Sequence, residues 1–217
     1  MNKAFIFDMD GVIIDSEAVW GKREKKFLIG LVGEKIYEKI KDHLLGSTTN
    51  VIYDLARENG LKMEKTQFLK KYDEQALFIY SLSTPTNDLN KLLEKLFRLN
   101  FKIGLVTASR PSWIEAVLKK IKNKNLFEYT LSLAAREDLR PKPYPDGYRE
   151  AIKKLGSIPE KTIILEDSNK GLAAAKASGA FTICLREHLP SEYISEDADM
   201  YIEKLQTLMK FLDEIKE

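Results

Sequence analysis

Phe5-Ile6-Phe7-Asp8-Met9-Asp10-Gly11-Val12 joins a short apolar run to two carboxylates one residue apart, with a glycine directly behind them. A continuous apolar run, unlike an alternating one, suits a strand covered on both faces, as in a parallel sheet. Ligands of open α/β sheets gather at the carboxyl ends of such strands. Side chains two residues apart in extended chain point the same way, so Asp8 and Asp10 can address one small site. Two anions that close need a cation or a shared proton. A magnesium ion held by carboxylate oxygens, with waters left to exchange for a substrate phosphate, meets that need and points to phosphoryl transfer. Gly11 lets the chain turn sharply and leaves room beside the site.

Beyond this strand the pattern changes character twice. Residues 15–80 show helical periodicity, with Trp20, Phe27, Leu28 and Leu31 on one stripe and Val51, Ile52, Leu55 and Ala56 on another. Residues 81–88, containing Pro85-Thr86-Asn87, break it, and Asn87 or Asp88 can cap a helix over 89–100. Strands and helices then alternate. Strands are expected at 103–106, 129–132, 162–165 and 181–185, and helices after Pro111 and at 148–155, 171–178 and 204–215. A short edge strand is expected within 197–202. This alternation predicts an α/β fold, a parallel sheet with helices on both faces. An α/β core from 1–14 and 82–217 would carry an all-helical insertion over 15–81. There is no internal repeat and no low-complexity stretch.

Three further clusters fall at expected strand ends. Thr107-Ala108-Ser109 brings hydroxyls and free amides together, with Pro111 suited to the first turn of the next helix, a corner that binds phosphate oxygens. Arg140-Pro141-Lys142-Pro143 holds an ammonium group between two prolines, and a compact positive charge suits a transferring phosphoryl group. Glu166-Asp167-Ser168 supplies two more acids that complete the oxygen shell of a cation. The small residues Gly171, Ala173, Ala174, Ala175 and Ala177 would let the following helix approach the sheet closely, which is packing and not chemistry.

The 217 residues suffice for one sizeable core and a second small domain. Charged residues make up 31% and hydrophobic ones 44%, and 35 Lys+Arg against 33 Asp+Glu leave a formal charge of only +2. That balance carries no nucleic-acid or membrane-surface footprint. No apolar run approaches the roughly twenty residues of a membrane span. Asp8 and Asp10 come too soon for an apolar signal region. The single cysteine, Cys184, sits in an apolar run and reads as a small buried hydrophobe, so the expectation is a reducing, cytoplasmic compartment.

Together the segments Asp8-Met9-Asp10-Gly11-Val12, Thr107-Ala108-Ser109, Lys142-Pro143 and Glu166-Asp167-Ser168 resemble the haloacid dehalogenase-like (HAD-like) hydrolases. The resemblance is to the branch that contains β-phosphoglucomutase and phosphoglycolate phosphatase. It covers the whole chain and implies a Rossmann-like core with the helical insertion as a cap. It implies Asp8 as the nucleophile that forms an aspartyl-phosphate and Asp10 as the acid and base. Metal ligands would be Asp8, the Asp10 carbonyl, Glu166 and Asp167, with Thr107, the Ala108 amide and Lys142 on the phosphoryl oxygens. Gly11 and Ser109 would lie against the substrate. Asp10 also separates the chain from the dehalogenases of the superfamily, which lack an acid there.

In the mutase branch a histidine follows the first motif, and an arginine behind a cap glycine binds the distal phosphate. Here Val19-Trp20 stand in the first place, and Gly46-Ser47-Thr48-Thr49-Asn50 offers no arginine in the second. The expectation is therefore a magnesium-dependent, monomeric phosphatase of a small phosphorylated metabolite, with Trp20, Ser47, Thr48, Thr49 and Asn50 toward the substrate. A phosphosugar mutase and a non-catalytic phosphate-binding relative are the alternatives. The run Lys22-Arg23-Glu24-Lys25-Lys26 reads as a solvated helix face, and His43 and His188 as surface or structural residues.

Overall fold

The computed structural model describes residues 1–44, 47–189 and 193–214, without the side chains of Glu17 and Lys22. Gly46, at the head of the expected cap loop, therefore lies outside the described residues. The chain runs β1 (Lys3–Phe7), β2 (Ile14–Asp15), α1 (Glu17–Val32), α2 (Glu34–Ile40), α3 (Thr49–Glu58), α4 (Lys65–Leu82), β3 (Thr84–Pro85), α5 (Leu89–Arg98) and β4 (Phe101–Thr107). It continues through α6 (Pro111–Leu118), β5 (Phe127–Ser132), α7 (Asp146–Lys154), β6 (Thr162–Glu166), α8 (Asn169–Ser178), β7 (Phe181–Leu185), β8 (Met200–Ile202) and α9 (Leu205–Glu214).

Six strands form one sheet in the order β5-β4-β1-β6-β7-β8, every neighbouring pair parallel. The apolar β1 lies in the middle, where the strand order turns in opposite directions to its two sides. A crevice opens at the carboxyl ends there. Its side chains alternate between two cores. Phe5 and Phe7 face one with Leu105, Leu165, Ile183 and residues of α5, α6 and α9. Ala4 and Ile6 face the other with Val106, Ile164, Tyr148 and Ala151 of α7 and Ala174 and Ala175 of α8. The helices thus cover both faces, as the alternating pattern predicts, and β8 is the edge strand expected near the end.

Helices α1–α4 occupy the stretch between β2 and β3. Their packing is aromatic: Tyr53, Phe68, Tyr72 and Phe27 form a run of neighbouring rings with centroids 5.3 to 5.9 Å apart. Strands β2 and β3, two residues each, pair antiparallel through Ile14–Pro85 and Asp15–Thr84, where the chain leaves the sheet and where it returns. Neither has a sequence signal, because two residues are too few for a period. His188 ties this pair to the loop after β7, with Nε2 3.1 Å from Thr86 Oγ1 and Nδ1 3.6 Å from Asp15 Oδ1, the structural role expected of it.

Capping departs in one place from the sequence reading. Asp88 stands at the cap position of α5 in the left-handed region (φ 61°), yet its carboxylate turns to Lys91 and to Gln206 and not to the helix amides. Ser168 does cap α8, its hydroxyl accepting from the Gly171 amide at 3.1 Å.

The segment that carries Lys142 is closed by one clamp. Arg140 donates to Asp146 from Nε (2.9 Å), from Nη2 (2.8 Å) and from its own amide (3.1 Å). The guanidinium and the amide of Arg140 hold the Asp146 carboxyl at about 2, below its ordinary 3.8. A carboxyl with a depressed folded-state value contributes stability above the unfolded value and loses it as the pH falls through the folded one. Asp146→Asn is expected to lower the melting temperature at pH 7 by about 2 °C, the modest scale of a largely exposed pair. Melts followed by circular dichroism should show that difference shrinking between about pH 4 and pH 2; a difference independent of pH would contradict the clamp.

Candidate active site

The sheet register brings the sequence motifs together. Phe7 lies beside Leu105 on one side and Leu165 on the other, so Asp8, Thr107 and Glu166 end neighbouring strands at one level. The Asp8 amide donates to the Leu165 carbonyl at 2.9 Å, which continues the ladder into the site. Lys142 reaches in from the loop before α7, its Nζ donating to Asp8 Oδ1 at 2.6 Å and to Glu166 Oε1. The Tyr148 hydroxyl donates to the same Glu166 oxygen at 2.6 Å. Asp8, Lys142, Glu166 and Tyr148 are all buried.

The Asp8 carboxyl is pushed up to about 8: burial raises it most, Glu166 and Asp10 raise it too, and Lys142 pulls it down. Burial alone would lower the Lys142 ammonium, but Asp8 and Glu166 hold it well above its ordinary value. The site therefore keeps its lysine charged and is short of positive charge. Asp8, Glu166 and Asp167 can each turn a ligand atom to within 4.8 Å of the others. Three clustered carboxylates offering only oxygen donors fit a hard divalent cation such as magnesium.

Two glycines make this closeness possible. Gly11, at φ 72°, packs against the Asp167 carboxylate, and Gly171 packs against the Glu166 carboxylate; a β-carbon at either would overlap those oxygens. Glu166 Oε2 meanwhile accepts from the amides of Asp167 (3.0 Å) and Ser168 (3.3 Å) and from the Ser168 hydroxyl (3.2 Å). The close approach of α8 to the sheet, read in the sequence as packing alone, also shapes the acidic cluster.

Asp10 lies where the helical segment meets the sheet. Its Oδ1 accepts from Ser16 (2.7 Å) and from Tyr80 of α4 (2.9 Å), and its Oδ2 accepts from Ser109 (2.7 Å). The Ser109 hydroxyl thus serves Asp10, and its amide donates to Thr107 Oγ1 at 3.0 Å. Ser16 and Tyr80 carry no motif that sequence reasoning could use, since both become neighbours of Asp10 only through folding.

A cavity of about 260 Å³ opens over these groups, and Asp8, Asp10, Thr107, Ala108, Ser109, Lys142 and Asp167 all line it. From the helical segment come Trp20, Ser47 and Thr49, as the sequence suggested, together with Glu24, Tyr72 and Tyr80, which it did not. Thr48 instead caps α3, accepting from the Val51 amide at 3.3 Å, and Asn50 is exposed; neither is among the described lining residues. The reading of residues 22–26 as a solvated face needs correction. Arg23, Lys25 and Lys26 are exposed, but Glu24 turns inward with Trp20, one helical turn before it. Trp113 of α6 lines the cavity too, its Nε1 donating to Asp73 of α4 at 2.6 Å.

Residues 5–185 match the family model described as "Haloacid dehalogenase-like hydrolase". The chain belongs to this family. Among the haloacid dehalogenase-like proteins it is similar to Hexitol phosphatase B of Escherichia coli K12, 28% identical over 179 residues, which cover 81% of this chain and 79% of that relative. It is also similar to the Phosphorylated carbohydrates phosphatase of Thermotoga maritima, 26% identical over 180 residues, 82% of each chain. In fold it resembles the β-phosphoglucomutase of Clostridium difficile, with a TM-score of 0.72 at 24% identity, covering 99% of this chain and 96% of that one.

The contact of Gly171 with Glu166 yields a direct test. Gly171→Ala puts a methyl where the carboxylate lies, and overpacking of this kind costs about 1–3 kcal/mol. A urea unfolding midpoint well below that of the wild type is expected; an unchanged midpoint would show that the acidic cluster is not held against α8.

Proposed function

We propose that this haloacid dehalogenase-like protein is a magnesium-dependent phosphatase that hydrolyses a small phosphate monoester, a sugar phosphate or similar metabolite, through an aspartyl-phosphate on Asp8. The observation that carries this reading is the convergence of Asp8, Lys142 and Thr107 in one cavity that Asp10 also lines. The activities named for the two curated relatives, a hexitol phosphatase and a phosphorylated-carbohydrate phosphatase, support the substrate class. Residues 15–81 act as a cap over a core made of 1–14 and 82–217.

In this mechanism Thr107, the Ala108 amide and Lys142 hold the phosphoryl oxygens and offset their charge. An Asp8 oxygen attacks phosphorus, the ester P–O bond breaks, and Asp10 gives its proton to the leaving oxygen. Asp10 then takes a proton from water, whose oxygen attacks phosphorus, so the Asp8 carboxylate is restored and inorganic phosphate leaves. A magnesium ion held by Asp8, the Asp10 carbonyl, Glu166 and Asp167 would supply charge neutralisation and keep Asp8 ionised. Ser16, Tyr80 and Ser109 orient Asp10 between the two proton transfers.

Among the described cavity residues Lys142 is the only Lys or Arg, which favours hydrolysis of a monophosphate over mutase chemistry on a bisphosphate. Phosphate release from a panel of sugar and polyol monophosphates tests the reading. Release should require magnesium, cease with chelator, and vanish in Asp8→Asn, whose circular dichroism and melting should remain those of a folded protein. Faster interconversion of glucose 1-phosphate and glucose 6-phosphate, when primed with the bisphosphate, would overturn the hydrolytic assignment. Tyr80→Phe removes one of the donors to Asp10 and is expected to lower kcat by about tenfold, with KM within about twofold. Unchanged kcat would mean that Tyr80 does not orient Asp10.

A further inference from the structure

The side of the cavity away from Asp8 has an unusual chemistry for a site that receives phosphate. Its wall is a row of rings: Trp20 and Tyr72 have centroids 5.8 Å apart, Tyr72 and Trp113 stack at 6.1 Å, and Tyr80 lies 6.0 Å from Trp113. Into this wall Glu24 brings a carboxylate whose hydrogen-bonding group is the Tyr72 hydroxyl. Burial pushes the Glu24 carboxyl up, and the Tyr72 hydroxyl brings it part of the way back.

Among the described residues no cation pairs with Glu24. The described partners of the cationic side chains around the cavity are groups other than Glu24. Lys142 serves Asp8 and Glu166, Lys170 donates to Ser47 at 2.8 Å, and Arg110 turns to Asp73 and the Leu69 carbonyl. Arg23, Lys25 and Lys26 on the same helix point to solvent. Glu24 is half-buried, and a carboxylate partly withdrawn from water without a positive partner is costly. Aromatic rings beside it add attraction for a cation and none for an anion.

We propose that the cap side of this cavity selects phosphate monoesters whose organic part carries an ammonium group, with Glu24 as its counter-charge and Trp20 and Tyr72 beside it. This inference rests on the phosphatase reading and names its substrate class. A neutral polyol of the same shape binds through hydroxyls only and gains less. A substrate with a second anionic group meets Glu24 with like charge and is disfavoured. Glu24 acts here as a specificity residue and takes no part in the bond-breaking steps.

Three probes of one skeleton differ in the relevant charge: glucosamine 6-phosphate, glucose 6-phosphate and 6-phosphogluconate. With magnesium, kcat/KM should be about tenfold higher for the amine than for the neutral sugar, the ratio that one ion-pair and cation–π contact supplies, and lowest for the acid. In Glu24→Gln the amine preference should fall to within about twofold, and Glu24→Asp should restore part of it. The same order should appear as equilibrium affinity in calorimetry on Asp8→Asn protein. An amine-to-neutral ratio at or below one in the wild type, or an undiminished ratio in Glu24→Gln, overturns the inference. If no probe releases phosphate, the phosphatase reading fails, and the calorimetric order then decides the ammonium preference by itself.

Discussion

A single buried ammonium group, Lys142 Nζ, lies between the carboxylates of Asp8 and Glu166 at the ends of adjacent strands. Carboxylates in a dry interior are tolerated only when charge and hydrogen bonds answer them. Much of the site follows from this one constraint. Tyr148 comes up from α7 to satisfy Glu166, the Arg140–Asp146 clamp closes the loop that delivers Lys142, and Gly171 allows α8 close enough for Ser168 to bind the remaining Glu166 oxygen. Lys142 lies between two of three clustered buried acids. The closeness of the three carboxylates, with ligand atoms within 4.8 Å of one another, is the physical reason for reading a divalent cation into the cluster.

Around that cluster the cavity has two chemistries. The sheet side is polar and charged, built from strand ends that a parallel register holds level. The helical side is aromatic, with Glu24 as its charged group among the described lining residues. Asp10 stands at the seam, bound by Ser16 next to β2, by Tyr80 of α4 and by Ser109 after β4. A carboxylate held by groups from both sides is sensitive to their relative position. The helical segment and the sheet therefore contribute jointly to its orientation even though the motif that names Asp10 belongs to the sheet alone.

The sequence by itself determined the parallel sheet, the place of the helical insertion and the four clusters at strand ends, because those depend on local periodicity and on residues adjacent in the chain. The apolar run 4–7, the breakers near 81–88 and the alternation after residue 102 are all short-range patterns. Only the tertiary structure decided that Glu24 turns to face the cavity while Arg23, Lys25 and Lys26 stay exposed, and that Thr48 caps a helix while Thr49 lines the cavity. It alone brought Tyr80, seventy residues away, to Asp10. Such choices turn on helix rotation and on contacts between distant segments. Sequence order cannot express them, since a helix shows the same residues whichever way it is turned and only packing fixes which face is inside.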